Sequence, residues 1–254
     1  MSVLNDKVIL LTGAGGGIGR ASALVLAQAG ARLALTDIQQ ENGQATFAEL
    51  KAIGVDAIFI PADLSQEIEI VKLVTKTIEH FGGLDGAFNN AGTAQHGLPL
   101  HELTTEQWSK TIHVDLTSMF WCLKYQIKAL LPRAVGSIVN TSSGLGMRAI
   151  NNAADYITAK HGVIGLTRAA AVEYARHGIR TNAILPGIIE TPMVKQLSKD
   201  PAFSDFLGEL KSRHPIGRFG QPHEIGEAAK FLLSNAASFV NGETFAVDGG
   251  YLAN

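Results

Sequence analysis

The sequence predicts an α/β fold: one domain on a doubly wound, mostly parallel sheet with helices on both faces. Three observations predict it. Short apolar runs alternate with longer amphipathic stretches along the chain, the order of successive βαβ units. The short runs are apolar at nearly every position, as expected of strands covered on both faces. A glycine-rich turn, Thr12 to Gly19 (TGAGGGIG), lies between the first apolar run and the first helical stretch.

The elements follow from local signals. Strand one is expected at about Lys7 to Leu11, and the glycine turn leads into a helix from about Ile18 to Gln28, ended by Gly30. Leu33 to Thr36 reads as strand two, closed by Asp37, and helix two covers about Glu41 to Ile53 with Gly54 as its stop. Strand three is Ala57 to Ile60, ended by Pro61 and Asp63. Helix three spans about Glu67 to Phe81, with Gly82-Gly83 beyond it. Leu84 to Phe88 is strand four, followed by Asn89-Asn90-Ala91-Gly92 and a loop from Thr93 to Leu103. Thr104 with Gln107 makes a capping-box pattern that opens a helical stretch to about Leu131, with room for one break. Ser137 to Asn140 is a strand before Thr141-Ser142-Ser143-Gly144, and a long helix follows from about Asp155 to Arg176, closed by His177-Gly178. Ile179 to Leu185 is a strand stopped by Pro186-Gly187. Residues 191–214 show no strand signal and read as one or two small helices in a mobile, substrate-side segment. A helix from about His223 to Leu233 and a strand at Thr244 to Val247 finish the fold. No linker or composition break divides residues 1–254.

Bulk properties exclude several classes. The chain has 254 residues, 46 % of them apolar and 17 % charged, and its formal net charge is −2. With no Lys/Arg cluster, nothing marks a nucleic-acid partner. A single cysteine, Cys122, rules out an internal disulfide framework and a cysteine-rich metal site, and reads as a buried structural thiol. His96, His101 and His113 show no ligand spacing and read as ordinary polar positions, so no metal is expected. The N-terminal MSVLNDK lacks the zones of a signal peptide, and no 18-residue uncharged apolar run suggests a membrane span. A cytoplasmic location is the expectation.

The chemistry begins at the glycine turn. Glycines there let a pyrophosphate approach the backbone, and free N–H groups at the next helix start face the phosphates. Strand, glycine turn, helix is the order a dinucleotide site needs. Asp37 lies 18 positions after Gly19, where a carboxylate accepts hydrogen bonds from a ribose diol and repels a 2′-phosphate; an ordinary turn Asp is the competing reading. Gly17 offers no positive side chain for an extra phosphate, so both positions favour NAD over NADP. Asp63 is either at the adenine edge or a strand-end cap. Asn89 to Gly92 ends a strand at the sheet edge that binds ligands in open α/β folds, and its small residues let a cofactor pass close by. Tyr156 and Lys160 are four apart on a predicted helix and share a face. An ammonium beside a phenol favours phenolate, which suits proton exchange with a substrate oxygen near neutrality. Ser143 is placed to bond the same oxygen.

Together these motifs resemble the classical short-chain dehydrogenase/reductase family over nearly the whole chain, a single-domain Rossmann fold. Gly13, Gly17 and Gly19 match its cofactor fingerprint, Asn89 to Gly92 its sheet-stabilising motif, and Ser143 with Tyr156-Ile157-Thr158-Ala159-Lys160 its catalytic Ser and YxxxK pattern. Asp63-Leu64, Pro186-Gly187 and Val247-Asp248-Gly249-Gly250 also resemble family signatures. The resemblance implies that Tyr156 is the general acid/base, that Ser143 orients the reacting oxygen, and that Lys160 binds the nicotinamide ribose and depresses the Tyr156 pKa. It implies cofactor contacts at Ile18, Ile38, Leu64, Asn90, Ala91, Gly92, Pro186 and Gly187, with Ile189 and Thr191 at the nicotinamide end. One position departs from the pattern. Asp115, in His113-Val114-Asp115-Leu116, stands where the family usually carries an Asn that holds a water linking Lys to solvent. The expectation is that activity survives with an altered pH profile.

The implied activity is reversible hydride transfer between NAD and a secondary alcohol or ketone, largely apolar, with cyclic skeletons among the candidates. Thr93, Ala94, Gly144, Leu145, Met147 and residues near Met193 and Leu197 are expected to line the substrate pocket. The rival readings are an NADP-dependent carbonyl reductase and a non-enzymatic dinucleotide-binding regulatory protein. The apolar chain and its VDGG segment also resemble tetrameric family members, so a homotetramer is expected, with a small molecule as the partner.

Overall fold

The first strand shows how the sequence builds the sheet. In β1 (Val8–Thr12) every residue is buried. Ile9 and Leu11 project to one side, where they meet Leu33 and Leu35 of β2 (Arg32–Thr36). Val8 and Leu10 project to the other side with Ala34. A strand with two apolar faces requires helices on both, and both are present. The first face is covered by α1 (Gly17–Gln28) through Ala23 and Leu26, and by α2 (Gln40–Ala52) through Leu50. The second is covered by α3 (Glu67–Phe81) through Leu73 and Val74.

The computed structural model describes residues 2–192, 194 and 208–254. Among these, β3 (Ala57–Phe59), β4 (Gly86–Asn89), β5 (Gly136–Thr141), β6 (Ile179–Pro186) and β7 (Thr244–Val247) complete a seven-stranded sheet of order β3-β2-β1-β4-β5-β6-β7. All neighbouring strands are parallel. The order reverses between β1 and β4, whose carboxyl ends pair Thr12 with Asn89. That switch point opens a crevice at the edge where ligands bind in such sheets. The remaining helices are α4 (Thr105–Ile112), α5 (Ser118–Leu130), α6 (Ala154–Tyr174) and α7 (Pro222–Leu233).

Expected boundaries and observed ones differ by a residue or two. β4 begins at Gly86 rather than Leu84, because Asp85 accepts from Val8 N–H (2.9 Å) and brackets the start of β1 instead. The capping box at α4 forms as expected: Thr104 Oγ1 accepts from Gln107 N–H (3.2 Å) and Gln107 Oε1 accepts from Thr104 N–H (3.0 Å). The break in the following helical stretch is a single π turn, His113–Thr117, between α4 and α5. A π turn admits an extra residue and re-aims the side chains around it; here it surrounds the buried Asp115. The long α6 ends at Tyr174 and tightens into a 3₁₀ turn, Ala175–His177, stopped by Gly178 at φ +71°. Of the expected segment at 191–214, Met193 and residues 195–207, including Leu197, lie outside the described residues. Among the described residues no helix is long and apolar enough to cross a membrane.

A polar strut runs beneath the crevice. Asn89 Nδ2 donates to Gln126 Oε1 (2.8 Å) and Asn140 Oδ1 (3.0 Å), and Asn140 Nδ2 donates to Thr167 Oγ1 (3.0 Å). Fully partnered buried polar groups of this kind fix one arrangement of the elements they join. These join β4, β5, α5 and α6, of which α6 carries Tyr156 and Lys160 and β5 leads into Ser143.

Candidate active site

A cleft of about 730 Å³ opens at the switch point. Gly13, Gly17, Ile18, Gly19, Asp37, Ile38, Asp63, Leu64, Asn90, Ala91, Gly92 and Thr191 all line it. The glycine turn is shaped by close approach. Gly13 adopts φ +68°, and a Cβ at Gly19 would run into the Gly13 carbonyl oxygen. Asp37 is held where β2 ends: Oδ2 accepts from Gly15 N–H and Oδ1 from Gln39 N–H, both at 2.8 Å. Arg20, the cation nearest in sequence on α1, is turned to Glu49 at 2.9 Å. Asp63 caps the Ser65 N–H (2.9 Å), as its strand-end reading expects, and also lines the cleft. A glycine cradle beside a fixed carboxylate fits a dinucleotide.

Three of the catalytic candidates, Tyr156, Lys160 and Asp115, meet behind Gly92, which lines the cleft; neither they nor Ser143 are among its lining residues. One turn of α6 separates Tyr156 from Lys160, and Lys160 Nζ lies 5.3 Å from the Tyr156 ring centroid. Lys160 is buried, and its Nζ donates to Asp115 Oδ1 (3.3 Å) and to Thr141 O (3.4 Å). Asp115 is equally buried and accepts from Thr93 N–H (2.8 Å) and Thr93 Oγ1 (2.6 Å). Burial opposes the charge on Lys160, but attraction to Tyr156 and Asp115 and the Asp115 hydrogen bond outweigh it. Its pKa is held above the ordinary lysine value of 10.5. Glycine at position 92 makes the pairing feasible. A Cβ there would stand 2.5 Å from Asp115 Oδ1 and 3.1 Å from Lys160 Nζ. Ser143 follows β5, where its Oγ accepts from Leu145 N–H (3.1 Å) at the start of the 3₁₀ turn Gly144–Gly146. Ser142 Oγ donates to Lys160 O (2.8 Å), which ties this loop to α6.

Not every expected residue joins the cleft. Gly187 and Ile189 line a separate cavity of about 300 Å³ with His214, and Pro186 is the last residue of β6. Thr93 does line the cleft, whereas Ala94 and Met147 are exposed outside its lining and Gly144 lies against the Tyr251 ring. Two further residues escaped sequence reasoning. Thr93, expected only in the substrate pocket, also clamps Asp115. His96, read as an ordinary polar position, has Nδ1 2.7 Å from Asp155 Oδ2. Their separation of 59 positions in sequence leaves no local signal of that contact.

Comparison with known proteins agrees with this fold. The family model described as enoyl-(acyl carrier protein) reductase matches residues 13–252. The chain is 46 % identical to 2,5-dichloro-2,5-cyclohexadiene-1,4-diol dehydrogenase of Sphingobium indicum, over all of both chains. It is 42 % identical to cyclohexanol dehydrogenase of an Acinetobacter species, covering 97 % of this chain and 95 % of that one. The crystal structure of levodione reductase superposes with a TM-score of 0.94 at 40 % identity, covering 98 % of each chain. The chain belongs to the short-chain dehydrogenase/reductase family. It is an oxidoreductase that works with a dinucleotide cofactor.

Proposed function

We propose that this protein is an NAD-dependent dehydrogenase that interconverts a secondary alcohol and a ketone on a small, largely apolar, cyclic skeleton. The observation that carries the reading is the buried Asp115–Lys160 pair one turn below Tyr156, packed behind Gly92 of a cleft that Asp37 also lines. Tyr156 exchanges a proton with the substrate oxygen, and Ser143 offers a hydroxyl to the same oxygen. Lys160, kept cationic by Asp115, stabilises negative charge on the phenolic oxygen. Gly13, Gly17, Gly19 and Asn90 to Gly92 hold the dinucleotide, with Thr191 toward its nicotinamide end. Bound nicotinamide supplies the hydride acceptor in oxidation and the donor in reduction. Asp37 accepts from the ribose diol and disfavours a 2′-phosphate, which is the basis for NAD over NADP. The cyclic skeleton is favoured because the diol dehydrogenase and the cyclohexanol dehydrogenase are named for six-membered-ring alcohols.

The test is an oxidation panel of cyclic alcohols, acyclic alcohols, sugars and steroids, run with NAD and with NADP. Cyclic alcohols with NAD are expected to be fastest, and Asp37→Ser to shift preference toward NADP. A clear preference for sugars or acyclic alcohols, or for NADP in the wild type, contradicts the proposal. Dinucleotide binding without turnover over the panel would favour a regulatory protein instead. The assembly we propose is a homotetramer, for which sedimentation should give four times the 26.9 kDa chain mass.

A further inference from the structure

Asp155 directly precedes Tyr156 and is 1 % exposed. A buried carboxylate needs partners, and this one has them on α4 and on the loop after β4. Its Oδ2 accepts from Thr111 Oγ1 of α4 (2.8 Å) and faces Nδ1 of His96, in the loop after β4, at 2.7 Å. Burial works against the charge, yet the hydrogen bonds outweigh it and hold the carboxyl below the ordinary aspartate value. An ionised carboxylate only accepts, so His96 Nδ1 donates.

The location gives the cluster its meaning. Tyr156 lies in the first turn of α6, and the residue before that helix, Ala153, makes no side-chain cap. First turns carry unsatisfied N–H groups and fray unless something secures them. Asp155 secures this one by tying it to α4 and to the loop. A negative side chain there also complements the helix dipole. The same loop is fixed a second time, three residues earlier, by Thr93 on Asp115, the partner of Lys160.

We propose that His96 and Asp155 form a positioning dyad that docks the loop after β4 onto the first turn of α6 and so holds Tyr156 in register with Lys160. Neither residue touches the reacting atoms. The proposal rests on the reading of Tyr156 as the acid/base.

The test compares wild type, His96→Ala, Asp155→Ala, the double variant and His96→Asn by steady-state kinetics, NADH binding and amide hydrogen exchange. Each single alanine variant is expected to lower kcat about ten- to hundredfold, the cost of a small misplacement of a reacting group. NADH affinity should stay within about twofold, because the glycine turn and Asp37 lie on other elements and His96 stands beyond the Asn90 to Gly92 part of the loop. The double variant should be no worse than Asp155→Ala. His96→Asn should recover most of the loss, since its side-chain amide donates from near the Nδ1 position. Exchange should accelerate in the loop and in the first turn of α6 in both alanine variants. Additive kinetic losses, a parallel loss of NADH affinity, or faster exchange with unchanged kcat would each overturn the proposal. If the wild type oxidises no alcohol, the functional reading fails separately. The dyad is then decided by exchange alone: acceleration in the first turn of α6 supports it, and unchanged exchange in Asp155→Ala sinks it.

Discussion

At the scale of single residues, the site is governed by charges taken out of water. Lys160 and Asp115 are both almost fully buried, and each is the other's counter-ion. Removing one partner of such a pair typically costs about 3–5 kcal/mol, because the other charge is stranded. Asp115→Ala is therefore expected to melt several degrees below the wild type. Asp115→Asn keeps an oxygen for Thr93 but removes the carboxylate. The Lys160 pKa should then fall, and the alkaline limb of the pH–rate profile should move to lower pH. Identical profiles for wild type and Asp115→Asn would show that this carboxylate does not tune proton exchange. The stability linkage has a definite sign. A lysine whose pKa is raised on folding contributes its full stabilisation below 10.5 and loses it as pH climbs through the folded value. Cys122 follows the same burial logic in the other direction. Burial pushes its thiol up to about 12, so thiolate is scarce at neutral pH. A thiol reagent should label it only at the rate of unfolding, and rapid labelling of the native protein would contradict its burial.

At the scale of elements, close approach sets the tolerances. Gly92 lets the end of β4 pass against the Asp115–Lys160 pair. Gly92→Ala should cost about 1–3 kcal/mol as an overpacking change and lower turnover, which thermal melts and kinetics together would show. The first turn of α6 carries an acid-sensitive tie. Asp155 has a lowered folded pKa, so its stabilisation is present above 3.8 and is lost as pH falls through the folded value. Melting temperature should drop over that acid window, and Asp155→Asn should flatten the drop; equal slopes would contradict it. Elements were the most legible level of the sequence. Helix α3 and strand β7 lie where their apolar patterns and glycine stops place them. The π turn at His113–Thr117 was legible only as a possible break, because its cause is tertiary. Asp115 is drawn to Thr93 and Lys160, partners 22 and 45 residues away.

At the scale of the molecule, one sheet carries both halves of the site. β1 and β2 present the glycine turn and Asp37, while β4 and β5, with α6, present Gly92, Ser143, Tyr156 and Lys160. The strut from Asn89 through Asn140 to Thr167 braces the second of these halves. The Tyr156–Lys160 spacing was legible in sequence because a helix converts four residues into one face. The Thr93–Asp115 and His96–Asp155 contacts were not, because they depend on how a loop folds over the sheet edge. The account's central claim is that this frame serves alcohol oxidation through Tyr156. The most direct measurement is NADH formation from a cyclic secondary alcohol by wild type and Tyr156→Phe, with NADH binding measured in parallel. The account predicts turnover by the wild type and a loss of about 10²–10⁴-fold in the variant, with NADH affinity retained. A Tyr156→Phe variant as active as the wild type would contradict it.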